Sequence, residues 1–132
     1  MLLHELNNDE KKSFWVIANY LTMVDGVLQD EERELLRKYK SEMSVTYGEI
    51  HPSIVDFRNE INCFKHGPER KRKLVYFNLF GIAASDGEYT SDEERMLELV
   101  RREFSISDSD GFTLEQCSQN GEDEAKVSSV LG

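Results

Sequence analysis

The sequence predicts an all-α fold, a compact bundle of about six to seven helices with an internal helix, Asp-Gly turn, helix duplication. Apolar residues recur at intervals of three and four along most of the chain, which is the spacing of a half-buried helix. No segment alternates convincingly as a strand does. Two segments centred on Asp25-Gly26 and Asp86-Gly87 repeat one another 61 positions apart. At 132 residues the chain suits one domain, because domains peak at roughly 100 to 150 residues and that length buries one continuous core.

Leu2, Leu3 and Leu6 form a candidate helical turn that closes over the core. From Asn8 to Val24, Phe14, Ile17, Ala18, Leu21 and Val24 recur at helical spacing. Asn7 or Asn8 caps that helix, and Asp9 and Glu10 suit its positive end. After Gly26, Asp30 caps a second helix over about Glu31 to Glu42, with Leu35, Leu36 and Tyr39 as its buried stripe. Gly48 and Pro52 mark a break, and Pro52 fits the first turn of a third helix carrying Ile54, Phe57, Ile61 and Phe64. Gly67-Pro68 ends it. The next helix, about Pro68 to Ser85, is apolar almost all round from Leu74 to Ala84, as a centrally packed helix must be. Thr90 and Glu93 then form a capping box, and Met96, Leu97, Val100 and Phe104 continue the helix. The reading divides the chain into a helical domain over residues 1–107 and a C-terminal part over 108–132. In the latter Phe112, Leu114 and Cys117 mark a short helix, and Ser118 to Gly132 is polar and expected to be mobile.

The net charge of −10 repels nucleic acid and anionic membrane and favours cations or basic partners. Residues 103–132 hold seven acids and one base, Lys126, so much of the acidity belongs to the tail. Two cysteines, Cys63 and Cys117, are too few for a disulfide framework, and a reducing cytoplasm is the expected location. Neither a basic leader nor an apolar run near 18 residues occurs, so no transmembrane segment is expected.

Shifting the chain by 61 residues superposes Leu21 on Ile82, Asp25 on Asp86, Gly26 on Gly87, Leu28 on Tyr89, Glu32 on Glu93, Leu35 on Met96 and Leu36 on Leu97. Each unit resembles the second half of an EF-hand loop: Asp, Gly, a hydrophobe two residues on and Glu at the end. The first half is missing, since Leu21 and Met23, or Ile82 and Ala84, stand where two more carboxylates belong. One loop alone therefore holds calcium weakly. On one reading the glycines end helices and the acids cap turns and helices. On the other, the two turns pack together so that Asp25, Glu32, Asp86 and Glu93 share a hard cation such as calcium or magnesium.

An apolar helix, Asp-Gly, a hydrophobe, Glu and then Leu, present twice over about Asn8 to Ser107, resembles the TerB-like family of tellurite-resistance proteins. The resemblance implies a compact helical domain associated with tellurite and envelope stress. It also implies an acidic cluster suspected of metal binding, which maps onto Asp25, Glu32, Asp86 and Glu93. Val24 and Ser85 depart from the alanine usual before the Asp-Gly pair. Family members occur attached to other modules, among them a membrane-anchored co-chaperone. A protein partner is expected accordingly, a membrane-associated one and a second copy of the chain being candidates.

Two further clusters stand out. Glu69-Arg70-Lys71-Arg72-Lys73 places cations in the first turns of a helix, where the dipole disfavours them. It suits phosphate, an acidic partner, the chain's own acidic tail or, most simply, a solvated face paired with nearby acids. Cys63 and His66 share a helix face at a spacing zinc can use, but no further ligand is recruited by spacing, and a buried cysteine beside a helix-terminal histidine is the simpler reading. Nucleophile elbows, Walker loops and dinucleotide fingerprints are absent from the sequence. The function expected is a noncatalytic stress-response module acting through protein contacts. The alternative is a small metal-dependent hydrolase using the same four carboxylates.

Overall fold

Seven α-helices carry the described residues, which are 2–24, 30–43, 54–85, 90–121 and 124–132 of the computed structural model. They are α1 (Asn8–Met23), α2 (Asp30–Met43), α3 (Ile54–Lys65), α4 (Glu69–Ala83), α5 (Ser91–Glu103), α6 (Asp108–Gln119) and α7 (Glu124–Leu131), preceded by a 3₁₀ turn at Leu3–Glu5. The duplication is exact at the helix starts: α1 and α4 begin 61 residues apart, and so do α2 and α5. Helix α6 follows α5 as α3 follows α2, and α4 packs most extensively on α6 as α1 does on α3, but α3 and α6 start 54 residues apart (54 to 108), so the 61-residue register ends with α2 and α5. Both Asp-Gly pairs, Leu28, Tyr89, Gly48 and Pro52 lie outside the described residues.

Caps define the boundaries. Asn7 accepts from the Glu10 N–H (2.9 Å) while Glu10 accepts from the Asn7 N–H (2.8 Å), a reciprocal box that starts α1. Thr90 and Glu93 make the equivalent box at α5. Asp30, expected as a cap, is instead the first helical residue of α2, matching Ser91 in the second half. Helix α5 ends in a Schellman arrangement. The Ser105 N–H donates to the Arg102 carbonyl (3.1 Å) and the Ile106 N–H to the Arg101 carbonyl (3.0 Å), with Ser105 left-handed at φ 56°.

Helix α4 is the centre of the bundle. Its side chains are buried from Lys73 through Phe80 and again at Ile82 and Ala83, and it contacts every other element. Helix α1 packs most extensively against α3, where the Tyr20 and Phe57 rings lie 4.6 Å apart. Phe14 meets Tyr39 of α2 edge-on at 5.8 Å, and Phe64 of α3 meets Phe104 at 6.1 Å. Aromatic pairs of this geometry contribute about 0.5–1.5 kcal/mol beyond area burial. Leu2, Leu3 and Leu6 close the bundle as expected, and the Leu3 N–H donates to Glu42 Oε1 (3.0 Å), tying the turn to α2.

The C-terminal region differs from its expectation. A helix, α7, occupies 124–131 where a mobile tail is expected, and Val127 and Leu131 are each 1% exposed. Val127, Val130 and Leu131 stand at i, i+3 and i+4, a short apolar stripe that the polar composition around it hides. Leu114, Cys117, Val127 and Leu131 join the same core cluster as the preceding helices, so the core continues past residue 107. Phe112 does not join it and is 62% exposed, because two residues before Leu114 is nearly the opposite side of a helix.

Candidate functional site

Glu32 and Glu93 occupy the same place in the two halves, the third residue of α2 and of α5. Each is 3% exposed, whereas Asp30, Glu31, Asp92 and Glu94 in the same first turns are exposed. A buried carboxylate loses its hydration and needs compensation, which a helix N-terminus supplies through its amides and dipole. For Glu93 the compensation includes Thr90: Oε1 accepts from the Thr90 N–H (3.1 Å) and hydroxyl (3.0 Å), and the Glu93 N–H donates to Thr90 Oγ1 (3.1 Å). The position equivalent to Thr90 in the first half is 29, outside the described residues. Capping is thus a demonstrated role of Glu93.

A shallow cleft of about 510 Å³ runs along α2. Asp30, Glu31, Glu34, Leu35 and Lys38 of α2 line it together with Ser85, the residue that enters the second Asp-Gly pair. The helix that follows the first turn therefore adjoins the approach to the second. Asp25 and Asp86 themselves fall outside the described residues, and among those described no group of three or more His, Cys, Asp or Glu side chains is arranged to hold a metal. Of the four carboxylates, Glu32 and Glu93 are described, and they lie at buried and equivalent positions of α2 and α5.

The family described as tellurite resistance protein TerB matches residues 17–116 of the chain. The chain belongs to the TerB family. Among curated proteins and among solved structures, nothing matches it. The matched segment runs from the middle of α1 into α6 and so contains both Asp-Gly pairs and all of α2 to α5. TerB membership agrees with the all-helical architecture and associates the chain with tellurite resistance.

Two other sequence candidates resolve differently in this TerB fold. Cys63, expected to be buried, is exposed on α3, its thiol pointing along its own helix toward the Asn59 carbonyl (3.5 Å) and Glu60 Oε2 (3.8 Å). The heptad-like stripe buries Phe57, Ile61 and Phe64, and position 63 falls beside it. His66, just past the end of α3, is also exposed.

The pairing with nearby acids expected of the basic run at the start of α4 is present, but its cations are half-buried or buried rather than spread over a solvated face. Lys71 pairs with both Glu10 oxygens (2.9 and 3.2 Å), and Lys73 with Glu69 (2.9 Å) and Asp110 (3.3 Å). Arg72 donates to the Gly67 carbonyl (3.1 Å) and to the Phe104 carbonyl. Arg70 holds Glu5 through two bonds (2.9 and 3.0 Å) and donates to the Ser128 carbonyl (2.9 Å), the Gly132 carbonyl (3.2 Å) and Ser128 Oγ (2.6 Å). The two arginines thus collect carbonyls at the ends of α5 and α7, groups that a helix leaves without intrahelical partners, and one from the turn that follows α3. This offsets the unfavourable dipole at the start of α4. Of the tail-binding idea, Arg70 retains the tail but grips its backbone and a hydroxyl. Its partner Glu5 is held below the ordinary glutamate value, chiefly by the hydrogen bond from Arg70, partly opposed by burial. The sequence shows the cations but not the carbonyls they serve.

Proposed function

We propose that this TerB-family chain is a noncatalytic module that works through protein contacts and binds a hard divalent cation, calcium or magnesium, between its two halves. Asp25, Glu32, Asp86 and Glu93 supply the oxygens. The observation that carries this reading is the equivalent burial of Glu32 and Glu93 beside the two turns, with α2 and Ser85 sharing a cleft. Carboxylates match hard cations in donor type, and two half-loops together offer what one lacks. A carboxylate has two oxygens and about four lone-pair directions, so one glutamate can cap a helix and touch a cation. When bound, the cation would supply positive charge that offsets the buried carboxylates and ties the first turn to the second. The exposed Met23 at the end of α1, next to the first turn, supports a contact surface nearby. An acidic chain of this kind favours basic partners.

The test is titration of the full chain with calcium and with magnesium while amide NMR shifts are followed. Saturable shifts at residues 24–33 and 85–94, abolished in the Glu32→Gln, Glu93→Gln double variant, are expected. Unchanged shifts there would remove the cation from the proposal. Capture of partners from the chain's own cells, with and without chelator, separates the two parts: identical partners in both would make the cation incidental to contact.

A further inference from the structure

Helix α7 has eight residues, and an isolated helix shorter than about 12 residues is marginal in water, so its order comes from its seat. That seat is formed by α4 and α6. Into it go Val127 and Leu131, fully buried, with Val130 packed at the margin. Its far end is closed by Arg70, which meets the Ser128 and Gly132 carbonyls and the Ser128 hydroxyl while its other bonds hold Glu5. The arrangement is that of a helix bound in a groove, with apolar anchors at i, i+3 and i+4 and a cation at its negative end. The other elements have contacts with α4 of their own: the N-terminal 3₁₀ turn, α1, α2, α3, α5 and α6 each pack on it.

We infer that α7 is a displaceable plug, and that its seat on α4 and α6 receives a short amphipathic helix from a partner protein, its C-terminal carbonyls gripped by Arg70. The occupant follows from the occupant already there: two aliphatic anchors one turn apart, a third half-buried between them, and a helix end delivered to a guanidinium that Glu5 holds in position. The inference deepens the protein-contact reading above and owes nothing to the cation.

The probe is a fluorescent peptide of residues 124–132, added to the full chain and to its Val127→Asp, Leu131→Asp variant. In the variant the tethered helix no longer competes, since a tethered segment acts at an effective concentration near millimolar. Saturable binding to the variant, at least tenfold tighter than to the parent, is expected, and adding Arg70→Gln should weaken it about tenfold. A folded variant, verified by a loss of helicity no greater than the eight residues of α7 account for, that takes no peptide would overturn the inference. Hydrogen exchange on the unaltered chain gives an independent reading. The amides of α7 should open at lower free energy than those of α1 and α4, and exchange of α7 only together with α4 would equally overturn it. A chain that binds the peptide yet captures no protein from its own cells would keep the plug and its seat but defeat the protein-contact reading.

Discussion

Ser105 carries the left-handed turn that ends α5, a conformation that costs an L-residue roughly 1–2 kcal/mol and that glycine adopts freely. Glycine also loses more chain entropy on folding, about 0.4–1 kcal/mol, so the strain relief exceeds the loss. Ser105→Gly is therefore expected to stabilise the chain by about 0.5 kcal/mol in urea denaturation, with no change of fold. Glu5 acts in the opposite sense and depends on pH. Its carboxyl is lowered by Arg70, with His4 and Lys71 adding to the effect, so its contribution is present above the ordinary glutamate value and fades as pH falls through the lowered one. Arg70 stays charged throughout. In Glu5→Gln, stability at pH 7 should drop by about 0.5–1 kcal/mol, the range for a partly exposed ion pair, and the difference from the parent should shrink toward pH 3. A difference that stays constant across that range would mean that Glu5 does not act through its charge.

At the scale of elements, α4 and α6 give a contrast that burial alone predicts. Phe77→Ala should cost about 3–5 kcal/mol, because it empties a fully buried aromatic position in the central helix. Phe112→Ser on α6 should change stability by less than about 0.5 kcal/mol, since the ring faces water. Both residues are phenylalanines in helices with apolar neighbours, and periodicity tells them apart only when the face is known. That marks where the sequence was legible. The run from Leu74 to Ala84 identifies a central helix because no face is left polar, and the Thr90–Glu93 box announces the start of α5. Helix α7 stayed hidden because three aliphatic residues inside a polar stretch gain meaning only from a groove built by α4 and α6, far away in sequence. Cys63 was misjudged for a related reason: a cysteine is commonly buried, but its place beside the Phe57, Ile61, Phe64 stripe decides the matter.

For the whole molecule, the duplication was legible to the residue, since both helix pairs begin 61 positions apart, and it is also what makes a shared site conceivable. The burial of Glu32 and Glu93 was not legible, because sequence alone assigns both to a helix start without saying which side faces inward. If a cation joins the halves, it stabilises the folded chain by mass action. At a hundredfold excess over its dissociation constant the gain is about 2.7 kcal/mol, which calorimetry would detect as a rise in Tm that the Glu32→Gln, Glu93→Gln variant lacks. An equal rise in parent and variant would assign the effect to nonspecific screening.

The neutralised cations at the start of α4 bear on how the molecule meets others. Arg70, Lys71, Arg72 and Lys73 are spent on carboxylates and helix ends inside the fold, where they cancel acidic charge locally, and the chain as a whole keeps a net charge of −10. Encounter with a basic partner should therefore be faster than diffusion of neutral bodies and should slow steeply as ionic strength rises, while the dissociation rate changes little. With the four cations of α4 turned to partners inside the fold, the net negative charge would set the speed at which the protein finds what it binds.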